Sequence, residues 1–305
     1  MVSIKTVAVL GGSGNLGPFI VQELVSAGFA VTGITRESST NSTPKYPDGL
    51  PIKSIDFTSF DALKEVFDGQ DAVVSIVGSP GIAAQKTAVD AAVAAGVKRF
   101  IPSEFGINTR KHRDTPIGKI VGGKVAIVDY LQEKAAENEG FTWTGLSTGL
   151  FFDKALPFAY TGINLKEKTA HIVDSGNEKW QASQRTHIGK AVVGILNHPD
   201  ETANKYLTTA SFNPSSNEII AIVEELTGSK IAVTRQKSAE RQQIGLDKLA
   251  QGDYSAFLDF LTVLNQADGA GNAVTGEDSA NGVLGLQSED LREVLKGWLE
   301  KEGAL

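Results

Sequence analysis

A glycine-rich turn, Gly11-Gly12-Ser13-Gly14-Asn15-Leu16-Gly17, constrains this chain more than any other stretch. It lies between an apolar run, Val7 to Leu10, and a segment in which Leu16, Ile20 and Leu24 recur at helical spacing. A strand that turns on glycine into a helix opens a doubly wound α/β sheet, and the three glycines at 11, 14 and 17 do separate jobs there. One makes the tight turn, one lets backbone N–H groups approach a pyrophosphate, and one lets helix and strand pack closely. The loop from Gly11 through Ser13, Gly14, Asn15 and Leu16 to Gly17 is therefore a candidate dinucleotide cradle, with the phosphates at a helix N-terminus. Glycine turns also make plain strand-turn-helix joins, so the flanking pattern carries this reading.

A second strand, Val31 to Thr35, ends on Arg36, where enzymes that use NAD usually place an acid for the ribose 2′-hydroxyl. Arginine suits a 2′-phosphate, which offers its fork charge and two acceptors, and this favours NADP(H). A solvated strand-end arginine is the plain alternative, and Glu37 is placed to pair with it or to read a ribose. Lys45 is a further candidate for the phosphate.

With 305 residues the chain has length for two structural units and a large core without staples. It has no cysteine, which excludes disulfides and zinc-thiolate sites. Its four histidines, at 112, 171, 187 and 198, show no metal-ligand spacing, so no metal is expected. No apolar run approaches the roughly 20 residues of a membrane span. The first strand begins at about Ile4, too early for a targeting peptide, so a cytoplasmic protein is expected. A net charge of -7 and the lack of a basic stripe argue against nucleic acid as a partner. The short run Arg110-Lys111-His112-Arg113 reads as a solvated loop.

From residue 4 to about 152 strands and helices alternate, which predicts a parallel, doubly wound sheet with helices on both faces. Strands are expected at 52–57, 72–77, 99–105 and 142–151, and helices at 61–67, 82–95 and 118–138. Beyond 152 the rhythm breaks into a smaller, mainly helical part. Residues 1–155 thus form the expected dinucleotide-binding unit, with 184–212 returning to it, and 156–305 the substrate-binding part. Ser215 and Glu218 form a capping box, and Gly228 stops the helix it opens. The Gly/Asn/Asp/Ala-rich stretch 265–282 is too long for an ordinary connection and reads either as an active-site flap or as disorder.

Open α/β sheets bind ligands beyond the carboxyl ends of their strands. Candidate cofactor residues there are Val77 and Gly78, with Gln85 one turn into the next helix, then Ser103, Glu104 and Phe105, and then Thr148 and Gly149. Phe105, Phe151 and Phe152 are placed to wall a nicotinamide or an aromatic substrate, although phenylalanines are core residues by default. Lys124 is the most suggestive side chain. Its neighbours three and four residues away are Ile120, Val121, Ile127 and Val128, so it leaves an apolar helix face, either snorkelling to a rim or facing a pocket. Many reductases carry a proton-donating tyrosine four residues before their lysine. Here that position is Ile120, which leaves acid-base work to Lys124 or to water that it orients.

The glycine loop, Thr35-Arg36-Glu37-Ser38, Arg99-Phe100-Ile101-Pro102-Ser103-Glu104-Phe105-Gly106 and Gly123-Lys124-Val125, in this order and spacing, resemble the isoflavone-reductase-like (NmrA-like) branch of the atypical short-chain dehydrogenases, particularly its fungal members. The resemblance runs on through Lys134-Ala135-Ala136, His198-Pro199 and Ala210-Ser211-Phe212. It implies NADPH on the glycine loop, Arg36 at the 2′-phosphate and Lys124 as the reductase lysine. It also implies a phenylpropanoid-like, other aromatic or polyketide-like small molecule as substrate, with hydride delivered to a conjugated C=C, a benzylic carbon or a carbonyl, in a monomer or homodimer of secondary metabolism. The chain has Gly-Asn-Leu-Gly where plant members have Gly-Tyr-Ile-Gly, and Ser147-Thr148-Gly149 also departs from the plant pattern, so substrate identity does not carry over. Two other functions share the fold: an NADP-binding regulator without catalysis, which generally lacks the lysine, and a lyase or isomerase without net redox.

Overall fold

Val7 to Leu10 are buried from both sides, as a strand covered by helices on each face of a parallel sheet must be. They belong to β1 (Thr6–Leu10), an inner strand of the main sheet. The computed structural model describes residues 3–37, 46–47, 49–158 and 161–305. After β1 come α1 (Gly17–Ser26), β2 (Ala30–Arg36), β3 (Ile52–Ile55), α2 (Phe60–Phe67) and β4 (Ala72–Ser75). Next are α3 (Gln85–Ala94), β5 (Arg99–Ile101), α4 (Pro116–Ile120), α5 (Gly122–Glu137) and β6 (Thr142–Ser147).

The later elements are β7 (Leu150–Phe151), α6 (Phe152–Ala155), β8 (Ile163–Asn164), β9 (Thr169–Val173), β10 (Ala182–Ser183), α7 (Arg185–Asn197), α8 (Pro199–Thr202) and β11 (Lys205–Thr208). The chain closes with α9 (Ser216–Thr227), β12 (Ala232–Gln236), α10 (Ser238–Ala250), α11 (Ala256–Gln266) and α12 (Leu291–Lys301).

Seven strands form one sheet in the order β11-β6-β5-β4-β1-β2-β3, and every pairing in it is parallel. This is the Rossmann-type, doubly wound α/β arrangement that the alternation predicts. The winding reverses between β1 and β4, which opens a crevice at their carboxyl ends, where such sheets bind ligands. One apolar cluster, with Ile20, Leu24 and Ile188, fills the face under α1 and α7; a second, with Leu63, Phe100 and Leu131, fills the other. β11 pairs with β6 from Lys205 to Thr208, so the chain returns to its first sheet after a long excursion.

The helix expected over 118–138 is two helices, broken at Val121 (φ -96°, ψ 21°). Gly122 and Gly123 follow, and two adjacent glycines weaken a helix at that point. The strand expected over 99–105 ends at Ile101, which frees Pro102 to Gly106 to form the crevice wall. The later part of the chain holds a three-stranded sheet, β12-β9-β8, in addition to helices. β12 is exposed over most of its length, so it lacks the apolar alternation that reveals strands in a sequence.

The stretch 265–282 is a fastened strap. Gly269 and Gly271 donate their N–H groups to the two Glu178 carboxylate oxygens at 2.9 Å each. Val274 donates to Asn213 Oδ1 at 2.8 Å, and Ala280 donates to the Thr208 carbonyl at 2.8 Å. These contacts tie the stretch to Glu178, to Asn213 and to the end of β11. Among the described residues no helix is long and apolar enough to cross a membrane.

Candidate active site

The loop after β1 requires its glycines for two different reasons. Gly11 has φ +83°, a conformation that L side chains rarely adopt. A Cβ on Gly17 would lie 1.9 Å from the Gly12 carbonyl oxygen, so only glycine lets α1 start this close to the turn. Gly14 has neither constraint, because among the described residues a Cβ there would meet nothing nearer than the Gly11 oxygen at 3.8 Å. Gly78, across the crevice, is similar: its φ is -74° and a Cβ would approach only Pro80, at 3.9 Å. Two glycines that the protein's own packing does not demand, facing open space at the switch point, fit a ligand backbone such as a diphosphate. α1 carries no acid in its first turn and no side-chain cap at Leu16, so its N-terminal N–H groups and dipole suit an anion.

Arg36 ends β2 exposed, with Glu37 exposed beside it. Lys45 and Ser38 lie outside the described residues. Arg185, at the start of α7, reaches the same loop: it donates to the Asn15 carbonyl at 3.1 Å, stacks on the Phe19 ring at 4.3 Å and pairs with Asp153 at 2.8 Å. Nothing in the local sequence marks Arg185, since its partners are far along the chain.

The strand-end candidates divide into groups that brace the crevice and groups that face it. Gln85 and Ser103 are buried braces. Ser103 donates its N–H to Gln85 Oε1 at 2.9 Å and its hydroxyl to the Val77 carbonyl at 2.8 Å, which ties β4, α3 and β5 together under the crevice. Thr148 and Gly149 both donate their N–H groups to the Gly106 carbonyl at 3.0 Å. The Thr148 hydroxyl is buried without a partner.

Lys124 faces a cavity of about 620 Å³. Its ammonium donates to the main-chain carbonyl of Glu104 at 2.9 Å. Phe105, Ile120, Val121, Tyr254 and Phe257 supply most of the apolar lining. Burial pushes the Lys124 amine below its ordinary pKa, and the Glu104 carboxylate opposes that. Glu104 is pushed the other way, mainly by burial, with Lys124, Thr109 and Tyr206 holding it back. The side chain is 1% exposed, and one carboxylate oxygen accepts from Thr109 Oγ1 and from the Tyr206 hydroxyl, each at 2.6 Å.

Phe105 reaches this cavity, whereas Phe151 and Phe152 are not in its wall. Phe152 is fully buried in the core of the later part of the chain, edge-on to Phe212 with ring centroids 4.9 Å apart. Phe151 packs beside the core under α1 and α7. Tyr254 and Phe257 take the place the sequence suggested for them. They belong to a region without strand-end motifs, and helical periodicity alone cannot say which crevice α11 covers. A wider cleft, about 880 Å³, lies between α7 and α12 under Trp298 and holds none of the strand-end candidates.

Residues 3–256 match the model of the NmrA-like family. The chain is 32% identical over 299 residues to oxidoreductase aprR of Aspergillus flavus, covering 96% of this chain and 98% of that one. It is 34% identical over 287 residues to oxidoreductase poxI of Penicillium oxalicum, covering 93% of this chain and 90% of that one. Its fold superposes on the solved structure of AtPrR2 with NADP+ and (+)pinoresinol at a TM-score of 0.78, with 23% identity, over 98% of this chain and 99% of that chain. By its match over residues 3–256 and its 32–34% identity to these fungal oxidoreductases, the chain belongs to the NmrA-like family.

Proposed function

We propose that this protein is an NADPH-dependent reductase of a small aromatic, phenylpropanoid-like or polyketide-like molecule. The observation that carries the reading is the Lys124 ammonium at the wall of a cavity that Phe105, Ile120, Val121, Tyr254 and Phe257 line beside the strand ends. The oxidoreductase names of the fungal relatives and the NADP+ held by the pinoresinol-bound neighbour support it. When bound, NADPH supplies a hydride. The chain's own groups do the rest. The glycine loop and the α1 N-terminus would hold the diphosphate, and Arg36 would hold the 2′-phosphate. Val77, Gly78 and Thr148, beside the brace made by Gln85 and Ser103, would help to hold the cofactor. Phe105, Tyr254 and Phe257 exclude water and stack on a planar substrate. Lys124 would place positive charge beside the oxygen that gains negative charge, either the carbonyl oxygen of an enone or aryl ketone or the ether or ester oxygen that leaves a benzylic carbon.

The test is to follow NADPH absorbance with a panel of enones, quinone methides and aryl ketones. Consumption that depends on Lys124 is the expected result. Tight NADPH binding with no consumption across the panel would favour a regulator over an enzyme.

A further inference from the structure

β11 is the last strand of the main sheet, yet its Tyr206 reaches across β6 to the loop that holds Glu104. Its path is cleared by Gly145 on β6: a Cβ at that position would come within 2.6 Å of the Tyr206 ring. The phenol donates to Glu104 at 2.6 Å and accepts the Thr109 N–H at 3.2 Å, while the Thr109 hydroxyl donates to the same Glu104 oxygen. A buried carboxylate is costly unless it is paired and hydrogen-bonded, and here two donors converge on one of its oxygens. The opposite charge nearby is Lys124, which itself is desolvated and holds the Glu104 carbonyl.

We propose that Tyr206 and Thr109 are positioning residues that fix the Glu104 carboxylate in the loop whose carbonyl holds Lys124, and that this carboxylate is the counter-charge of the ammonium at the cavity wall. Burial favours the neutral amine, and a fixed opposite charge opposes that. Tyr206 serves as a permanent donor, because burial and the Glu104 charge raise its phenol well above its ordinary pKa. Other charged groups leave Glu104 as the main influence. Arg110 acts on Glu104 from the same loop, but Asp129 of α5 holds its guanidinium at 2.7 Å. Tyr254, at the cavity mouth, is 67% exposed. That this charge serves turnover rests on the reductase reading; that Glu104 sets it does not.

The experiment is competitive acylation of lysines across pH, read by mass spectrometry, in the wild type, Glu104→Gln and Tyr206→Phe, with exposed Lys53 as internal standard. Loss of the carboxylate is expected to lower the labelling midpoint of Lys124 by about one pH unit or more, a tenfold rise in neutral amine at a given pH. Tyr206→Phe is expected to shift it in the same direction by less, and the alkaline limb of NADPH turnover should move with the midpoint. A purely structural role would lower thermal stability and leave both midpoints in place, which would overturn the proposal. Should Glu104→Gln fail to fold, Tyr206→Phe decides alone, since it removes one oxygen from a site that keeps its shape. A shifted Lys124 midpoint without NADPH consumption in any variant would keep this inference and end the reductase reading.

Discussion

The Lys124 ammonium donates to the Glu104 main-chain carbonyl at 2.9 Å, and the buried Glu104 carboxylate opposes the fall in its pKa that burial causes. The first contact orients the amine and the second opposes the loss of its charge. Lys124→Met keeps the stem and deletes the charge. Turnover is expected to fall ~10²- to 10³-fold while NADPH affinity and melting temperature change little. Near-normal kcat on a true substrate would reduce Lys124 to a snorkelling residue.

Arg36 stands exposed at the end of β2, where a 2′-phosphate would meet it. A charge-assisted hydrogen bond is typically worth ~1.5 to 3 kcal/mol, about ten- to a hundredfold in affinity. Calorimetry on Arg36→Ala should therefore record a much larger loss for NADPH than for NADH. Equal losses would move the role to another group.

Gly149 adopts φ +65°, and a Cβ there would lie 2.2 Å from the Gln181 carbonyl oxygen. Gly149→Ala is expected to cost ~1 to 3 kcal/mol from the backbone conformation alone. The clash adds to this, because the atom it meets is backbone rather than a movable side-chain end. Chemical denaturation measures the sum, and an unchanged midpoint would mean that the turn relaxes freely.

Asp71 fastens the start of β1. It accepts from the N–H groups of Lys5 and Thr6 at 2.8 and 3.1 Å and pairs with Lys98 at 2.6 Å. Partial burial pushes its pKa up, but Lys98 and the two N–H donors prevail and lower it from 3.8 to about 2. A carboxyl depressed by folding contributes stability above its unfolded pKa and loses that contribution as pH falls through its folded one. Asp71→Asn should therefore be less stable by ~1 to 2 kcal/mol at neutral pH, a figure reduced for solvent screening. The gap between variant and wild type should close between about pH 4 and pH 2. A gap that stays constant over that range would assign the effect to shape rather than charge.

Glu178 holds two amides of the strap at 265–282. Glu178→Ala should speed hydrogen exchange at Gly269 and Gly271 with little change in the sheet strands. Unchanged exchange at both amides would show that the remaining contacts of the strap suffice.

The alternation of apolar strands with amphipathic helices, the glycine turn and the capping box of Ser215 with Glu218 were all legible in the sequence, and the capping box forms as read, ahead of Gly228 at φ +63°. These features depend on neighbours a few residues apart, through backbone hydrogen bonding and side-chain period, so local sequence determines them. The position of Lys124 on an apolar helix face was legible too, but not whether it snorkels or faces a cavity. That answer depends on Tyr254 and Phe257, which lie far along the chain, and on Tyr206, which reaches Glu104 across 102 positions. Phe152 and Phe105 are alike as residues beside strand ends, and only packing sends one into the core and the other to the cavity. The strap reads as loose because its restraints come from partners such as Glu178, which is 91 residues from Gly269. Pairings at such separations are not encoded in any local pattern; they appear only when the folded sheet brings the partners together and the hydrogen bonds of buried groups have to be met.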